Sequence, residues 1–268
     1  DVVIIGAGAA GLMCAAQAAF RGRKVLVLDH AKQAGKKILI SGGGRCNFTN
    51  MDVEPNNYLC GNPHFVKSAL SRYTQWDFLG LIGKYQVAYH ERDFGQLFCD
   101  DSAKEIVRIL MGECDEAGAK VRLRTEILGI EQTGDGYLID TNEQTYRCES
   151  LVVATGGLSM PKLGATPFGY KVAEQFGLTV LPTRAGLVPF TLHDHDKQRY
   201  ADLSGISLPC RIEAQDGTSF AADMLFTHRG LSGPVVLQIS NYWQPGEPVS
   251  IDLLPNLDLT EELRAQKQ

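Results

Sequence analysis

Three glycines near the start of the chain, Gly6, Gly8 and Gly11, stand in the spacing G-x-G-x-x-G, and a carboxylate, Asp29, follows at the end of the next apolar run. This pattern can hold a dinucleotide. The first glycine permits a tight turn, the second lets a pyrophosphate reach the backbone, and the third lets a helix pack closely on a strand. The helix N-terminus then offers free N–H groups and a positive dipole end to the phosphates. A carboxylate at Asp29 accepts ribose hydroxyls and repels a 2′-phosphate, so FAD or NAD is favoured over NADP. The alternative is a chance glycine-rich turn in a flavodoxin-like protein. It is disfavoured because strand, turn, helix and acidic strand end occur in the required order.

Other residues could do chemistry. Thr155-Gly156-Gly157 closes a later apolar run, and Ser41-Gly42-Gly43-Gly44-Arg45-Cys46-Asn47 is the densest glycine run in the chain. Cys46 has no resolving cysteine near it in sequence, so a packed thiol is favoured over a redox one. Tyr89, His90 and Arg92 are compatible with a substrate face or with a plain strand edge. His228 and Arg229 sit in a glycine-bracketed segment and could bind a carboxylate, although a structural turn explains them better.

These residues must be positioned by identifiable elements. Residues 2–5 and 24–28 read as buried strands and 9–20 as a small-residue helix, a parallel βαβ unit. A long loop carrying Lys36, Lys37 and the 41–47 run follows. Asn62-Pro63 predicts one helix start, Thr74 with Asp77 a second, and Ser102 with Glu105 a third that stops at Gly118. The period switches to two over 120–149, which predicts an antiparallel meander with turns at Gly134-Asp135-Gly136 and Asn142-Glu143. Residues 150–154 form another buried strand. After Gly186 the pattern predicts strands over 187–192, 207–215, 218–225 and 249–253, with a hairpin at Asp216-Gly217. It also predicts a loop over 226–234, a short helix to Trp243, and a final helix capped by Asp258 and Glu261. The expected domains are therefore 1–186 and a mostly β unit, 187–268.

Composition narrows the function. The chain has 268 residues, a net charge of −5 and a 44% hydrophobic fraction, enough for a packed core. The mild acidity predicts no nucleic-acid partner. Seven dispersed cysteines predict neither a disulfide framework nor a zinc cluster and fit a reducing cytoplasm. His193 and His195 bracket Asp194 in a polar stretch and read as a solvated loop. The apolar run 2–20 is too interrupted by glycine to be a membrane span, so no membrane partner is expected.

The opening DVVIIGAGAAGLMCAAQAAFRGRKVLVLD resembles that of many FAD-dependent oxidoreductases, and KKILISGGGRCNFTN is similar to the hallmark of the YhiN/BaiN-type (aminoacetone-oxidase-like) bacterial flavoproteins. LVVATGG at 151–157 and LFTHRGLSGP at 225–234 match the same family, and the likeness covers essentially the whole chain. More distantly it resembles the fumarate reductase and aspartate oxidase flavoproteins. The resemblance implies an α/β fold: a Rossmann-like FAD domain of the two-dinucleotide-binding-domain class, with a mostly β insert domain. Family members continue past the insert with a glycine-rich segment that returns to the flavin. No such segment occurs before Gln268, so part of the site is expected outside this chain.

Carried over residue by residue, Gly6, Gly8, Ala10 and Gly11 are expected at the pyrophosphate and Asp29 at the adenosine ribose. Ile127 is expected at the adenine, Thr155 and Gly156 beside the adenosine half, and Gly43, Gly44, Arg45, Cys46 and Asn47 along the ribityl chain and flavin ring. A cation near the ring stabilises the anionic reduced flavin. The expected activity is hydride transfer between FAD and a small organic substrate, in amine oxidation or in reduction of an unsaturated or keto compound. NAD(P)H is a possible electron donor. The rivals are an NAD-only dehydrogenase and a non-catalytic redox-sensing FAD protein.

Overall fold

The computed structural model describes residues 1–257 and 263–264. It divides into two units, Asp1–Leu181 and Pro182–Gln268, each with its own apolar core.

The first unit opens with β1 (Val2–Ile5), α1 (Ala9–Phe20) and β2 (Val25–Leu28). Helix α1 forms from alanine-rich sequence with strong helix propensity. It buries Gly11, Leu12, Ala15, Ala16 and Ala19, a stripe at helical spacing. Next come α2 (Lys36–Ile40) and a tight turn at Ser41–Gly44, where the sequence predicts only a loop. Then follow β3 (Asn47–Asn50), α3 (Lys67–Arg72) and α4 (Gln75–Lys84). The helix predicted at Asn62-Pro63 starts later. Asn62 Oδ1 accepts the His64 N–H at 3.0 Å and its carbonyl accepts the Phe65 N–H at 3.0 Å, which makes a separate turn. At Thr74 the predicted capping box is complete. These bonds hold the Asp77 carboxyl below the usual carboxylate range.

Strands β4 (Tyr89–Arg92) and β5 (Gln96–Cys99) lead into α5 (Lys104–Ala117), which ends at left-handed Gly118. Ser102 Oγ accepts the Lys104 N–H at 3.2 Å, but Glu105 turns to Arg108, so the predicted capping box does not close there. The strand β6 (Lys120–Arg122) is a correction to the predicted meander: it lies parallel to β2, with Leu26 opposite Lys120. A period of two gives the exposed face of a strand but not its partner, and α5 acts as the crossover that returns the chain parallel. The meander proper is β7 (Ile127–Thr133), β8 (Gly136–Thr141) and β9 (Thr145–Cys148). Then β10 (Ser150–Val153) returns beside β1, before α6 (Phe168–Gln175). The parallel sheet has the order β10-β1-β2-β6, and a second small sheet has the order β3-β5-β4.

The second unit holds β11 (Phe190–Thr191), α7 (Asp194–Arg199), β12 (Ser207–Glu213), β13 (Ser219–Thr227), β14 (Gly230–Ser232), α8 (Pro234–Ile239) and β15 (Ser250–Asp252). Its antiparallel order is β11-β14-β13-β12-β15. Cys210, Ile212, Met224, Val235, Val236 and Ile239 form its core. Two predicted loops are elements instead. His193 precedes helix α7, whose Lys197 bonds to Asp194 at 3.1 Å. Residues 226–232 form a hairpin whose turn is closed by Thr227 Oγ1, which accepts the N–H groups of Arg229 and Gly230. The strand predicted over 187–192 is only two residues long. The predicted final helix lies outside the described residues at both Asp258 and Glu261. No described helix is long and apolar enough to cross a membrane.

Candidate functional site

The turn between β1 and α1 sorts its glycines by cause. Gly6 has φ +112°, and a Cβ there would stand 2.4 Å from the Ala154 carbonyl oxygen. A Cβ on Gly11 would stand 1.9 Å from the Gly6 carbonyl oxygen. Both glycines are therefore demanded by the protein's own packing. Gly8 is different: a Cβ there would meet nothing within 4 Å. Gly8 is also the N-cap of α1, with no side-chain cap and no acidic residue in the first helical turn. The helix N-terminus is left bare, with Ala9 and Ala10 exposed beside it. This is the geometry that a pyrophosphate fits.

Asp29 closes the end of β2 against this turn. Its Oδ2 accepts the Ala7 N–H at 2.7 Å and its Oδ1 accepts the Ala31 N–H at 2.8 Å. The carboxylate thus builds the loop, and each oxygen keeps a lone pair for a hydroxyl. The Asp29 carbonyl accepts the Thr125 N–H at 3.0 Å, which brings the segment just before Ile127 alongside. Ile127 itself is half-buried and packs against the cluster of Val3, Leu28, Ile139 and Cys148, and a bulge separates it from Gly129.

Ala154 donates its N–H to the Ile5 carbonyl at 2.8 Å, so Thr155 and Gly156 leave the sheet beside Gly6. Two lysines with no predicted role secure this segment. Lys37 Nζ donates to the Gly157 carbonyl at 2.8 Å and to Ser159 Oγ at 3.2 Å, and Lys36 Nζ donates to the Leu163 carbonyl at 3.3 Å. Their position just before the glycine run was the available signal, but the partners lie 120 residues or more away.

The glycine run makes a left-handed turn, with φ of +55° at Gly42, +68° at Gly43 and +88° at Gly44. A Cβ on Gly42 would meet the Phe98 ring at 2.7 Å, whereas one on Gly43 would meet nothing within 4 Å. Gly43 therefore presents backbone to the outside. The turn is fixed by the Ala103 N–H on the Gly44 carbonyl (2.7 Å) and the Cys99 N–H on the Arg45 carbonyl (3.0 Å). Arg45 is exposed, and among the described residues it has no carboxylate within ion-pair distance. Cys46 is buried and free, and burial pushes its thiol up from the ordinary value. It is a packed group rather than a ready thiolate. The Asn47 amide, oriented to suit its neighbours, donates to the Thr49 and Leu97 carbonyls. Beneath the turn lies a cavity of about 390 Å³, lined by Ala10, Met13, Cys46, Phe48, Tyr73 and Phe78 among others.

Three groups of predicted residues are thus brought together: Gly6, Gly11, Thr155 and Gly156 at one seam, Asp29 with the Ala7 loop, and Ala10 with Cys46 on one cavity wall. Tyr89, His90 and Arg92 lie on β4, in the same small sheet as Asn47. His228 and Arg229 belong to the hairpin of the second unit. Among the described residues no cluster of His, Cys, Asp or Glu is placed to hold a metal.

A strand–turn–helix with a bare N-terminus, a carboxylate closing the next strand and a returning parallel strand together define a dinucleotide-binding Rossmann fold, the fold on which FAD-dependent oxidoreductases are built. The chain belongs to the HI0933-like family. The HI0933-like protein Rossmann domain matches residues 1–214, and the family's barrel and H2TH domain matches residues 184–268. Over 267 residues the chain is 59% identical to the ribosomal RNA dihydrouridine synthase of Escherichia coli, covering all of this chain and 67% of that protein. It is 57% identical to the Haemophilus influenzae protein of the same name, covering 99% of this chain and 67% of that one. The 3-dehydro-bile acid delta(4,6)-reductase of Clostridium scindens is 26% identical, over 98% of this chain and 66% of that protein.

These relatives overturn two expectations. The small organic substrate and the absence of a nucleic-acid partner both fail, because the relatives above 50% identity are named for action on ribosomal RNA. The physical error lay in reading a net charge of −5 as a map. Net charge is a sum, and an interface is set by local placement. Here Lys36, Lys37 and Arg45 fall within ten residues of one another around the glycine run, a local excess of cations that the sum does not show.

Proposed function

We propose that this protein reduces a uridine of ribosomal RNA to dihydrouridine, using bound FAD and electrons from NADH or NADPH. The observation that carries the reading is the 59% identity, over the whole of this chain, to a protein named for that activity. The site supports it. Gly8, Ala10 and the first turn of α1 would hold the pyrophosphate, with Gly6 and Gly11 shaping the turn. Asp29 would take the adenosine ribose and the backbone near Ile127 the adenine. Thr155 and Gly156 would flank the adenosine half, and Gly43, Gly44, Arg45, Cys46 and Asn47 would follow the ribityl chain and ring. When bound, FAD supplies hydride chemistry. The chain's own work is to orient it, to keep its phosphates on backbone N–H groups, and to hold the Arg45 charge near the ring. A ribosomal substrate implies a cytoplasmic protein.

The test uses flavin-loaded protein, ribosomal RNA from a strain lacking the enzyme, and NADH or NADPH. Nucleoside mass spectrometry and reverse-transcription mapping should find dihydrouridine at a defined uridine. RNA that stays unmodified under both donors refutes the reading.

A further inference from the structure

On β4, Arg92 is held without a carboxylate. Its Nε donates to His90 Nε2 at 3.1 Å, and His90 Nδ1 lies 2.6 Å from Asp100 Oδ1. The bond from Arg92 makes His90 Nε2 an acceptor, so Nδ1 carries the ring proton and donates to Asp100. The guanidinium sits 4.3 Å from the centroid of the Phe98 ring, and the His90 ring stacks on the same ring at 6.2 Å and 18°. Arg92 is thus fixed along one edge and one face. Among the described residues no carboxylate lies within ion-pair distance of it, although Asp93 is its neighbour in sequence. Its terminal N–H groups remain as donors in a planar fork.

Its position gives this donor a purpose. Asn47 and His90 both stand opposite Phe98 in register, so they share one face of the small sheet. Gly42 rests on the same Phe98 ring. The face that carries the glycine-rich turn therefore also carries Arg92. A phosphate is the less favoured partner, because the carboxylate of Asp100 stands directly behind the imidazole that holds the cation. A neutral carbonyl that gains negative charge only as it reacts fits better.

We propose that Arg92 is a catalytic residue that donates to the 4-oxygen of the substrate uracil, with His90 and Asp100 as positioning residues. The inference rests on the RNA reading above. Reduction adds a hydride, supplied by the flavin, at uracil C6. The displaced C5=C6 electron pair moves to C5 and onto the 4-oxygen as an enolate, and a proton from water then reaches C5. Arg92 gives up no proton; it stabilises the oxygen as its charge grows.

The experiment uses flavin-loaded protein and an RNA containing the mapped uridine, or 4-thiouridine in its place. Single-turnover reduction by pre-reduced protein should slow roughly 100-fold in Arg92→Ala, the scale of one lost donor to a developing oxyanion. Arg92→Lys should recover part of the rate, and His90→Gln should fall between. Wild type should bind the 4-thiouridine RNA more weakly than the uridine RNA, whereas Arg92→Ala should bind both alike. The salt dependence of binding should not change. An unchanged rate overturns the proposal. So does weaker binding with a salt slope lower by about one, which marks a phosphate contact. Wild-type protein that makes no dihydrouridine refutes the functional reading instead, and this inference with it.

Discussion

Asp29→Ala separates building the cofactor loop from binding the cofactor. In the native protein the carboxylate accepts two backbone N–H groups, from Ala7 at 2.7 Å and Ala31 at 2.8 Å. Its side chain is only 16% exposed, so solvent replaces these bonds poorly. Hydrogen bonds to a charged group contribute about 1.5–3 kcal/mol each, so losing both should cost about 3–6 kcal/mol before any ligand is present. At a urea slope of about 1–3 kcal/mol per molar, the unfolding midpoint of the apo variant should fall by at least about 1 M. FAD affinity should fall as well, by roughly one to two orders of magnitude for one lost ribose contact. Circular dichroism in urea measures the first effect and flavin fluorescence titration the second. An apo variant that unfolds at the wild-type midpoint would refute the claim that Asp29 anchors the turn. A stability loss with unchanged FAD affinity would remove it from the ribose.

Further outcomes are expected at the glycines, the cation and the thiols. Gly8→Ala should leave apo stability within about 1 kcal/mol of wild type. It should weaken FAD binding at least about tenfold; equal affinity would place the pyrophosphate elsewhere. Gly11→Ala, whose methyl meets a backbone carbonyl, should cost about 3 kcal/mol or more with or without FAD, read by thermal unfolding. Arg45→Ala should lower the flavin midpoint potential by about 20–45 mV for a 1–2 kcal/mol loss in a two-electron couple; a redox titration within a few millivolts of wild type would make Arg45 structural. Burial raises the Cys99 and Cys114 thiols from 9.0 to about 11. Because the folded values are the higher ones, the native state holds these protons longer, and stability should fall as pH rises from about 9 to about 11. Replacing both cysteines by alanine should flatten that alkaline loss in a denaturation series.

The βαβ unit was legible because its signals are local: apolar runs, three glycines and an acidic strand end within one short stretch. The capping box at Thr74 and the stop at Gly118 were legible for the same reason. What the sequence hid was partnership. Residues 120–122 alternate as a meander strand would, yet pair parallel with β2, since alternation names a face and not a neighbour. Lys36 and Lys37 looked like loop lysines because their acceptors lie beyond β10. The 226–232 hairpin read as a loop because glycine, histidine and arginine mask a turn closed by Thr227. The RNA substrate was hidden more deeply, since summed charge erases where the cations stand.

The central position of β1 has a consequence for synthesis. Its apolar strand Val2–Ile5 pairs on one side with β2, made within seconds, and on the other with β10, where Val2 meets Ser150. At about 5–20 residues per second, that second partner leaves the ribosome roughly 7–30 s later. Until then β1 offers an open hydrophobic edge, the kind of surface that pairs with other chains. The cofactor turn is likewise unfinished, because Gly6 has no Ala154 to close against. Nascent chains arrested before residue 150 should therefore be captured by holdase chaperones and should not retain FAD, whereas chains arrested well beyond residue 163, with Lys36 and Lys37 tied to their acceptors, should be released.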